Sequence, residues 1–231
     1  MPYVVGHRGA AGVLPENTLK GFQHAITLGV AYVECDVHHT FDRKLVVIHD
    51  ETVDRTTNGI GAVRTLEFST IRRLDAGHGL QIPTLDEILE TTKNKVTLLC
   101  ELKGEGTEEA AATTVTAHDM LQEVIFTCFD MERLARLRRL GDHYRLGVNL
   151  RSADAETLAQ TRDLGACTAG VYYKNLSLHG VELFQNAGLD IRGWNPDTLR
   201  QQKAIIALGV DGVSTNRPDI LLDYLNNARE D

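Results

Sequence analysis

Short apolar segments typical of strands alternate along the whole chain with longer amphipathic segments typical of helices. The strand-like segments are residues 3–5, 32–37, 96–102, 124–128, 144–150, 169–172, 190–193 and 212–214. Helical patterns fill the intervals, at residues 17–28, 84–92, 107–119, 130–140, 154–163, 177–187, 197–208 and 217–228. The helix-end phrases Leu28-Gly29-Val30, Leu164-Gly165-Ala166 and Leu208-Gly209-Val210 recur, as repeated turns from helix to strand require. Eight strands and eight helices in alternation predict an α/β fold, the (β/α)8 or TIM barrel.

One segment interrupts this alternation. A second apolar run, Leu45-Val46-Val47-Ile48, follows the second strand-like segment, and a polar, turn-rich stretch then extends from about residue 50 to residue 83. This stretch is too long for an ordinary connection between a strand and a helix. Since barrel active sites lie at the mouth formed by the carboxyl ends of the strands, we expect it to lie over that mouth. A surface excursion without function is the alternative. The sequence thus predicts one barrel domain over residues 1–231, with a small insertion at about 50–83.

Composition and charge limit the partners and the location of the protein. The formal net charge of −8, without a run of Lys or Arg, argues against nucleic acid or an anionic membrane as a standing partner. The first residues lack the features of a signal peptide, and no window has the apolar length of a membrane helix. We therefore expect a cytoplasmic protein without stable membrane association. The four cysteines lack metal-binding spacing and are expected to be reduced and buried. A homo-oligomer is compatible with these features.

Three carboxylates occupy the ends of two strand-like segments. Side chains alternate faces along a strand, so Glu34 and Asp36 point to one side and Cys35 to the other, and Glu101 shares a side with Lys103. If the two strands are neighbours, Glu34, Asp36 and Glu101 can hold a single cation. An all-oxygen ligand set suits Mg²⁺, Ca²⁺ or Mn²⁺ rather than structural zinc. A purely electrostatic network of carboxylates with Lys103 and an arginine, without metal, is the alternative.

Two histidines and an arginine complete a set suited to phosphate chemistry. His7-Arg8-Gly9 follows the first strand-like segment, and the planar guanidinium of Arg8 matches the oxygens of a phosphate. His49 ends the second apolar run. His7 and His49 can both titrate near neutrality, which general acid–base catalysis requires. A barrel-end histidine and a surface arginine are the alternative interpretation of the first motif.

Further candidates flank the first helix and the seventh predicted strand. Pro15-Glu16-Asn17-Thr18 is typical of a helix cap, but Glu16 could instead ligate metal or orient Arg8. Asn17 could hydrogen-bond a substrate or the Glu34 carboxylate. Trp194 follows a strand, where it could form an apolar wall beside a glycerol or alcohol group or simply pack against its neighbours.

The ordered set of motifs resembles one known family, the glycerophosphodiester phosphodiesterases, over essentially the whole chain. The motifs are His7-Arg8-Gly9, Pro15-Glu16-Asn17-Thr18, Glu34-Cys35-Asp36-Val37, His49-Asp50, Pro83-Thr84-Leu85, Glu101-Leu102-Lys103 and Gly209-Val210-Asp211-Gly212. The resemblance implies a TIM barrel with a small insertion and a metal-dependent hydrolysis of small glycerophosphodiesters to glycerol 3-phosphate and an alcohol.

The resemblance also implies a role for each matching residue. Glu34, Asp36 and Glu101 would ligate one divalent cation, and His7 and His49 would form the acid–base pair. The remaining roles are phosphate binding by Arg8 and Lys103, and support of the site by Glu16 and Asn17.

The chain departs from the family pattern in three places. The stretch before Pro83-Thr84-Leu85 is short and poor in aromatic residues, Asn195-Pro196-Asp197 replaces the common Thr-Val-Asn, and Asn216 stands where Asp is usual. None of these removes a proposed catalytic group. Lysophospholipase D or phospholipase-C-like chemistry is the nearest rival function, although it needs an apolar groove for a lipid tail. A non-catalytic glycerophosphate-binding protein is a second rival, and a metal-dependent isomerase or aldolase is a third.

Overall fold

The computed structural model describes residues 1–228, which contain nine strands and nine α-helices. The strands are β1 (Tyr3–Gly6), β2 (Tyr32–His39), β3 (Leu45–Val47), β4 (Thr97–Leu102), β5 (Val124–Cys128), β6 (Arg145–Leu150), β7 (Thr168–Tyr172), β8 (Asp190–Trp194) and β9 (Gly212–Thr215). The helices are α1 (Leu19–Leu28), α2 (Phe68–Ile71), α3 (Leu85–Thr92), α4 (Glu108–Ala117), α5 (Met131–Leu140), α6 (Ala155–Asp163), α7 (Leu178–Asn186), α8 (Leu199–Ile206) and α9 (Pro218–Asn227).

Eight of the strands form a closed parallel barrel. Their order around the ring is β1-β2-β4-β5-β6-β7-β8-β9, and β1 pairs in parallel with both β2 and β9, which closes the ring. The remaining strand, β3, lies outside the ring and pairs antiparallel with the end of β2. The predicted TIM barrel is therefore confirmed, and the second apolar run forms the extra strand.

Local sequence signals begin and end the helices. Asp130 and Asp154 cap α5 and α6 with their side chains, as the sequence indicates. Gly29 ends α1 with φ of 87°, a left-handed conformation that glycine adopts without a steric penalty. Asp197, in contrast, does not cap α8, because the side chain of Thr198 has that role. The carboxylate of Asp197 instead accepts hydrogen bonds from Thr215 and Asn216 at the mouth of the barrel.

The strands separate an outer apolar core from the interior of the barrel. Cys35 and Cys100 are fully buried in the outer core, between the strands and the helices. This confirms the predicted alternation of faces on β2 and β4. The expectation that all four cysteines are buried is wrong for Cys167, which is exposed, because it lies in the turn before β7 and not within the strand.

A small apolar layer fills the lower interior of the barrel. It consists of Val5, Leu99 and Ile125, with Tyr3 and Tyr32 packed against it. Side chains two residues farther along the same strands point inward again and lie nearer the mouth. In the chain these positions are polar, which places a polar layer directly above the apolar one.

Residues 46–82 contribute a separate apolar cluster beside the barrel. Its buried members are Val46, Ile48, Val53, Val63, Ile71, Ala76 and Ile82. The short helix α2 places Ile71 in this cluster. The insertion is thus folded around its own core, and its first residues continue from the strand end that carries His49.

The described helices also bear on membrane association. Within residues 1–228, no helix combines the length and the apolar character that crossing a bilayer requires.

Candidate active site

Three buried carboxylates meet in the polar layer of the barrel. Glu34, Asp36 and Glu101 are 6%, 1% and 8% exposed, and each offers an oxygen within 4.8 Å of the others. Asp36 and Glu101 are direct partners in the register of β2 and β4. The neighbouring strands expected from the sequence therefore bring the three side chains together.

Hydrogen-bond donors and cations surround the cluster from several sides. Asn17 donates to Asp36 over 2.9 Å, and the Arg8 Nε lies 3.3 Å from the same carboxylate. The backbone N–H of Arg8, a residue with φ of 50°, donates to Glu34 over 3.0 Å. These contacts place Arg8 and Asn17 beside the carboxylates. The predicted bond from Asn17 goes to Asp36 and not to Glu34.

Glu101 has its own pair of partners. Lys103 Nζ lies 3.1 Å from Glu101 Oε1, and Asn149 Nδ2 donates to Glu101 Oε2 over 3.0 Å. Burial, followed by the charge of Asp36, raises the pKa of Glu101 to about 7. Burial and the same neighbour raise the pKa of Glu34 well above its usual range. Lys103 and Arg8 therefore do not fully compensate the negative charge of the cluster.

The donor set fits a divalent cation. In the part of the chain that the structure describes, Glu34 Oε1 and Asn17 Oδ1 are buried acceptors without a hydrogen-bond donor. Buried acceptors of this kind are costly unless a donor or a cation satisfies them. All the atoms available are oxygens, which suit a hard ion. An ion held by Glu34, Asp36 and Glu101 would offset both the charge and the missing donor at Glu34.

Two histidines face the same cavity as the carboxylates. This cavity, about 310 Å³ in volume, is lined by His7, His49, Glu34, Glu101, Arg8 and Lys103, among others. His7 Nε2 lies 3.7 Å from Glu34 Oε2, and His49 Nδ1 lies 2.7 Å from Asp50 Oδ1. Burial, followed by the charge of Arg8, lowers the pKa of His7 to about 4. His7 is therefore a neutral imidazole at neutral pH in the absence of a ligand.

An arginine from the insertion links the two sides of the mouth. Arg55 donates to Glu16 over 2.9 and 2.7 Å and to Asp50 over 2.6 Å. Glu16 also accepts from Arg8 over 2.9 Å, so it orients Arg8 and does not join the carboxylate cluster. The hydrogen bond from Arg55 lowers the pKa of Asp50, which holds His49. Arg55 thus connects the supports of Arg8 and His49.

Aromatic side chains form one wall of the cavity. Trp194 contacts Phe129 edge to face, with ring centroids 5.5 Å apart, and also lies 5.1 Å from the ring of Tyr172. Phe129 is 42% exposed although it is a large apolar residue. Trp194 therefore both packs against its neighbours and presents an apolar surface to the cavity.

Sequence reasoning missed several residues of the cavity. Asn149 and Arg192 are 7% and 3% exposed in β6 and β8, and Arg192 donates to Asn149 over 3.2 Å. A polar residue at an inward position near the end of a strand was the available signal for both. Arg55 gave no such signal, since it lies in a polar segment among many exposed charges.

The chain matches proteins of known family along nearly its whole length. Residues 7–220 match the model of the glycerophosphoryl diester phosphodiesterase family. A glycerophosphodiester phosphodiesterase of Caldanaerobacter subterraneus subsp. tengcongensis is 33% identical over 238 residues, with 97% of this chain and 98% of the relative covered. One from Bacillus altitudinis is 32% identical over 239 residues, with 95% and 96% covered.

Solved structures show the same fold. The glycerophosphodiester phosphodiesterase of Agrobacterium tumefaciens has a TM-score of 0.85 at 29% identity, with 96% of this chain and all of that chain covered. A phosphodiesterase of Oleispira antarctica, solved with its product sn-glycerol-3-phosphate, has a TM-score of 0.89 at 24% identity, with 98% and 97% covered. The chain therefore belongs to the glycerophosphoryl diester phosphodiesterase family and is a phosphoric diester hydrolase.

Proposed function

We propose that this enzyme hydrolyses small glycerophosphodiesters to glycerol 3-phosphate and an alcohol, with one divalent cation and two histidines. One observation carries the proposal: Glu34 and Glu101 of the three-carboxylate cluster line the same cavity as His7 and His49. Membership of the family and the named relatives support the substrate class. The cytoplasmic location and the lack of stable membrane association stay predictions from the sequence.

Glu34, Asp36 and Glu101 would hold Mg²⁺, Ca²⁺ or Mn²⁺. When bound, such an ion supplies Lewis-acid polarisation of a phosphoryl oxygen and of a coordinated hydroxyl. Asn17 keeps Asp36 in place through its 2.9 Å hydrogen bond, which limits the freedom of the most buried ligand. Ligand orientation by such hydrogen bonds is a general requirement of metal sites.

Arg8 and Lys103 would bind the phosphate of the substrate. Both line the cavity, and each lies beside one carboxylate of the cluster, so their charges are held close to the place proposed for the cation. Positive groups fixed in this way stabilise charge that develops on the phosphoryl oxygens in the transition state. Glu16 would support Arg8 in this orientation.

His7 and His49 would transfer the protons. One histidine removes the proton of the nucleophile, and the other protonates the alkoxide that leaves. The nucleophile is either the neighbouring glycerol hydroxyl, which gives a cyclic phosphate that water then opens, or water itself. Both routes need one neutral and one protonated imidazole at the start of the reaction.

Trp194 would form the wall that contacts the glycerol or the alcohol. Its ring and that of Phe129 line the cavity together with the charged groups. We further propose that the segment 50–83 covers part of the mouth of a single catalytic domain. Its support is the position of Arg55, which reaches Glu16 from this segment.

Release of glycerol 3-phosphate from glycerophosphocholine tests the proposal directly. Chelator-stripped protein should be inactive, and Mg²⁺, Ca²⁺ or Mn²⁺ added singly should restore release. Glu34→Gln should abolish the restoration, whereas Glu90→Gln, which changes an exposed carboxylate of α3, should not. Full activity without any cation would refute the metal requirement. Cleavage confined to lysophospholipids would favour the lipid-directed rival.

A further inference from the structure

His7 has a polar support at Nδ1, on the other side of the ring from the nitrogen that lies near Glu34. This Nδ1 lies 2.7 Å from Asn216 Oδ1, and Asn216 Nδ2 donates to Asp197 Oδ2 over 2.8 Å. Asp197 is fixed in turn, because its other oxygen accepts from the Asn216 backbone N–H over 2.8 Å and from Thr215 Oγ1 over 3.1 Å. Asp197, Asn216 and His7 thus form a chain of hydrogen bonds that ends on the histidine ring.

The chemistry of the donors and acceptors gives this chain a direction. A carboxylate only accepts, so Asp197 requires the amide nitrogen of Asn216 on its side. The amide oxygen must then face His7, and since that oxygen also only accepts, the proton of the ring must lie on Nδ1. The hydrogen-bond chain therefore selects one of the two tautomers of His7.

A second amide, on a different loop, agrees with this choice. Asn195 Nδ2 lies 3.2 Å from His7 Nε2. An amide nitrogen donates, so it matches an Nε2 that carries a lone pair and no proton. Glu34 Oε2, at 3.7 Å from Nε2, is too distant for a hydrogen bond that would demand the opposite tautomer.

The two histidines of the cavity differ in the charge of their supports. His49 Nδ1 faces the carboxylate of Asp50 at 2.7 Å. His7 Nδ1 faces a neutral amide oxygen instead. The same ring position is therefore supported by a charged group in one histidine and by a neutral group in the other.

We propose that Asn216, held by Asp197, is a positioning residue that fixes His7 as the Nδ1–H tautomer and so leaves Nε2 ready to accept a proton. The catalytic consequence rests on the proposed function. In the first step the O–H bond of the nucleophile breaks, its proton moves to His7 Nε2, and the oxygen bonds to phosphorus. The bond from phosphorus to the leaving oxygen breaks, and His49 gives its proton to that oxygen.

Nitrogen NMR of histidine-labelled enzyme measures the tautomer without reference to activity. The His7 signals are assigned by their loss in His7→Gln, and Mg²⁺ is present throughout. We expect Nδ1 of His7 to be protonated and Nε2 to be unprotonated in the wild-type enzyme. A proton on Nε2 and none on Nδ1 would overturn the proposal, and this result does not depend on any Asn216 variant folding.

Kinetics of Asn216 variants test the consequence for catalysis. Asn216→Leu removes the acceptor, so the ring can populate the other tautomer, and kcat should fall about 10–100-fold while KM changes little. Asn216→Asp again offers an acceptor to Nδ1 and should recover part of that loss. Gln185→Leu is the matched control, because this side-chain amide also donates to a carboxylate, that of Asp211, but at the amino end of β9 and away from His7. It should lower the melting temperature and leave kcat within about twofold.

The outcomes separate this inference from the proposed function. Wild-type activity with an unchanged kcat in Asn216→Leu would refute the positioning role and leave the function intact. A wild-type enzyme that releases no glycerol 3-phosphate would refute the function, while the NMR measurement would still decide the tautomer.

Discussion

The carboxylate cluster makes the stability of the metal-free protein depend on pH in a way that Glu101→Gln should reveal. Burial and the charge of Asp36 raise the pKa of Glu101 from 4.5 to about 7. Between these values the folded state binds a proton that the unfolded state has released. The free energy of unfolding therefore falls as the pH rises through this window, by roughly 3 kcal/mol for Glu101 when the window has been crossed.

His7 opposes this trend in the wild-type protein. Its pKa falls from 6.5 to about 4 on folding, so between these values the unfolded state binds the extra proton. This contribution makes the protein more stable as the pH rises, again by roughly 3 kcal/mol. The two effects have opposite signs, and the raised pKa of Glu34 adds to that of Glu101, so the pH profile of the wild-type protein alone does not isolate Glu101. When the unfolding free energy of Glu101→Gln is subtracted from that of wild type at each pH, the contribution of His7 cancels and that of Glu101 remains.

We expect the stability of Glu101→Gln relative to wild type to increase by roughly 3 kcal/mol between pH 4.5 and pH 7.5. For a chain of this length this corresponds to roughly 6–12 °C in melting temperature. Urea unfolding of chelator-stripped protein at several pH values measures the difference. Glu90→Gln, which changes an exposed carboxylate, is the control, and its stability relative to wild type should not change with pH in this way. A difference that stays constant with pH would refute the reasoning that burial keeps Glu101 protonated.

A cation should stabilise wild type more than Glu101→Gln. At 100 times its dissociation constant, a bound ion stabilises the folded state by roughly 2.7 kcal/mol. Wild type should gain this amount with Mg²⁺, Ca²⁺ or Mn²⁺ at pH 7.5, and Glu101→Gln should gain much less because it lacks one ligand. Equal stabilisation of both proteins would contradict a role of Glu101 in metal binding.

Three further substitutions test individual parts of the site. His49→Gln should lower kcat by roughly 10²–10⁴ and leave the melting temperature nearly unchanged, since general acid–base catalysis contributes about that much; retained turnover would exclude the role. Arg55→Ala frees both Asp50 and Glu16, so kcat should fall by about 10-fold. Because Arg55 is exposed, the change in unfolding free energy should stay below about 1 kcal/mol. An unchanged kcat would show that the hydrogen bonds of Arg55 do not support catalysis. Trp194→Ala should raise KM for glycerophosphocholine and leave metal-induced stabilisation unaltered, and a loss of that stabilisation would show that Trp194 acts only through the fold.

The barrel could be predicted from the sequence because its signals are local and repeated. Each strand gives a short apolar run, each helix gives a period near 3.6, and the glycines at helix ends, such as Gly29, mark the turns between them. The carboxylate cluster was predictable for a related reason. Alternation along β2 and β4 fixes the face of Glu34, Asp36 and Glu101, and only the adjacency of the two strands had to be assumed.

Contacts between residues far apart in the sequence could not be predicted in the same way. Asn216 is 209 residues from His7, and Arg55 reaches Glu16 across 39 residues. The side chains of Asn216 and Arg55 carry no periodic signal, and their positions depend on the conformations of the loops at the mouth of the barrel. The expected bond from Asn17 to Glu34 goes to Asp36 for the same reason, since parity fixes the face of a carboxylate but not the neighbour that reaches it.

Cation and phosphate would each bind the opposite members of the same ion pairs in this site, which couples their binding. Arg8 Nε lies 3.3 Å from Asp36 Oδ2, and Lys103 Nζ lies 3.1 Å from Glu101 Oε1. A divalent ion on these carboxylates would draw on the same negative charge, so it would weaken both ion pairs and leave the two basic groups free to face the cavity.

Because such coupling is reciprocal, phosphate must raise the affinity for Mg²⁺ by the factor by which Mg²⁺ raises the affinity for phosphate. We expect a factor between about 5 and 150, and calorimetric titration of Mg²⁺ with and without inorganic phosphate measures it. Part of this factor would come from the attraction between the opposite charges of the ion and the phosphate, and part from the released side chains. Lys103→Met removes one released group and keeps all three carboxylates, so it should reduce the factor without abolishing Mg²⁺ binding. If phosphate raises the affinity for Mg²⁺ by the same factor in Lys103→Met, the ion pair between Lys103 and Glu101 does not contribute to the coupling.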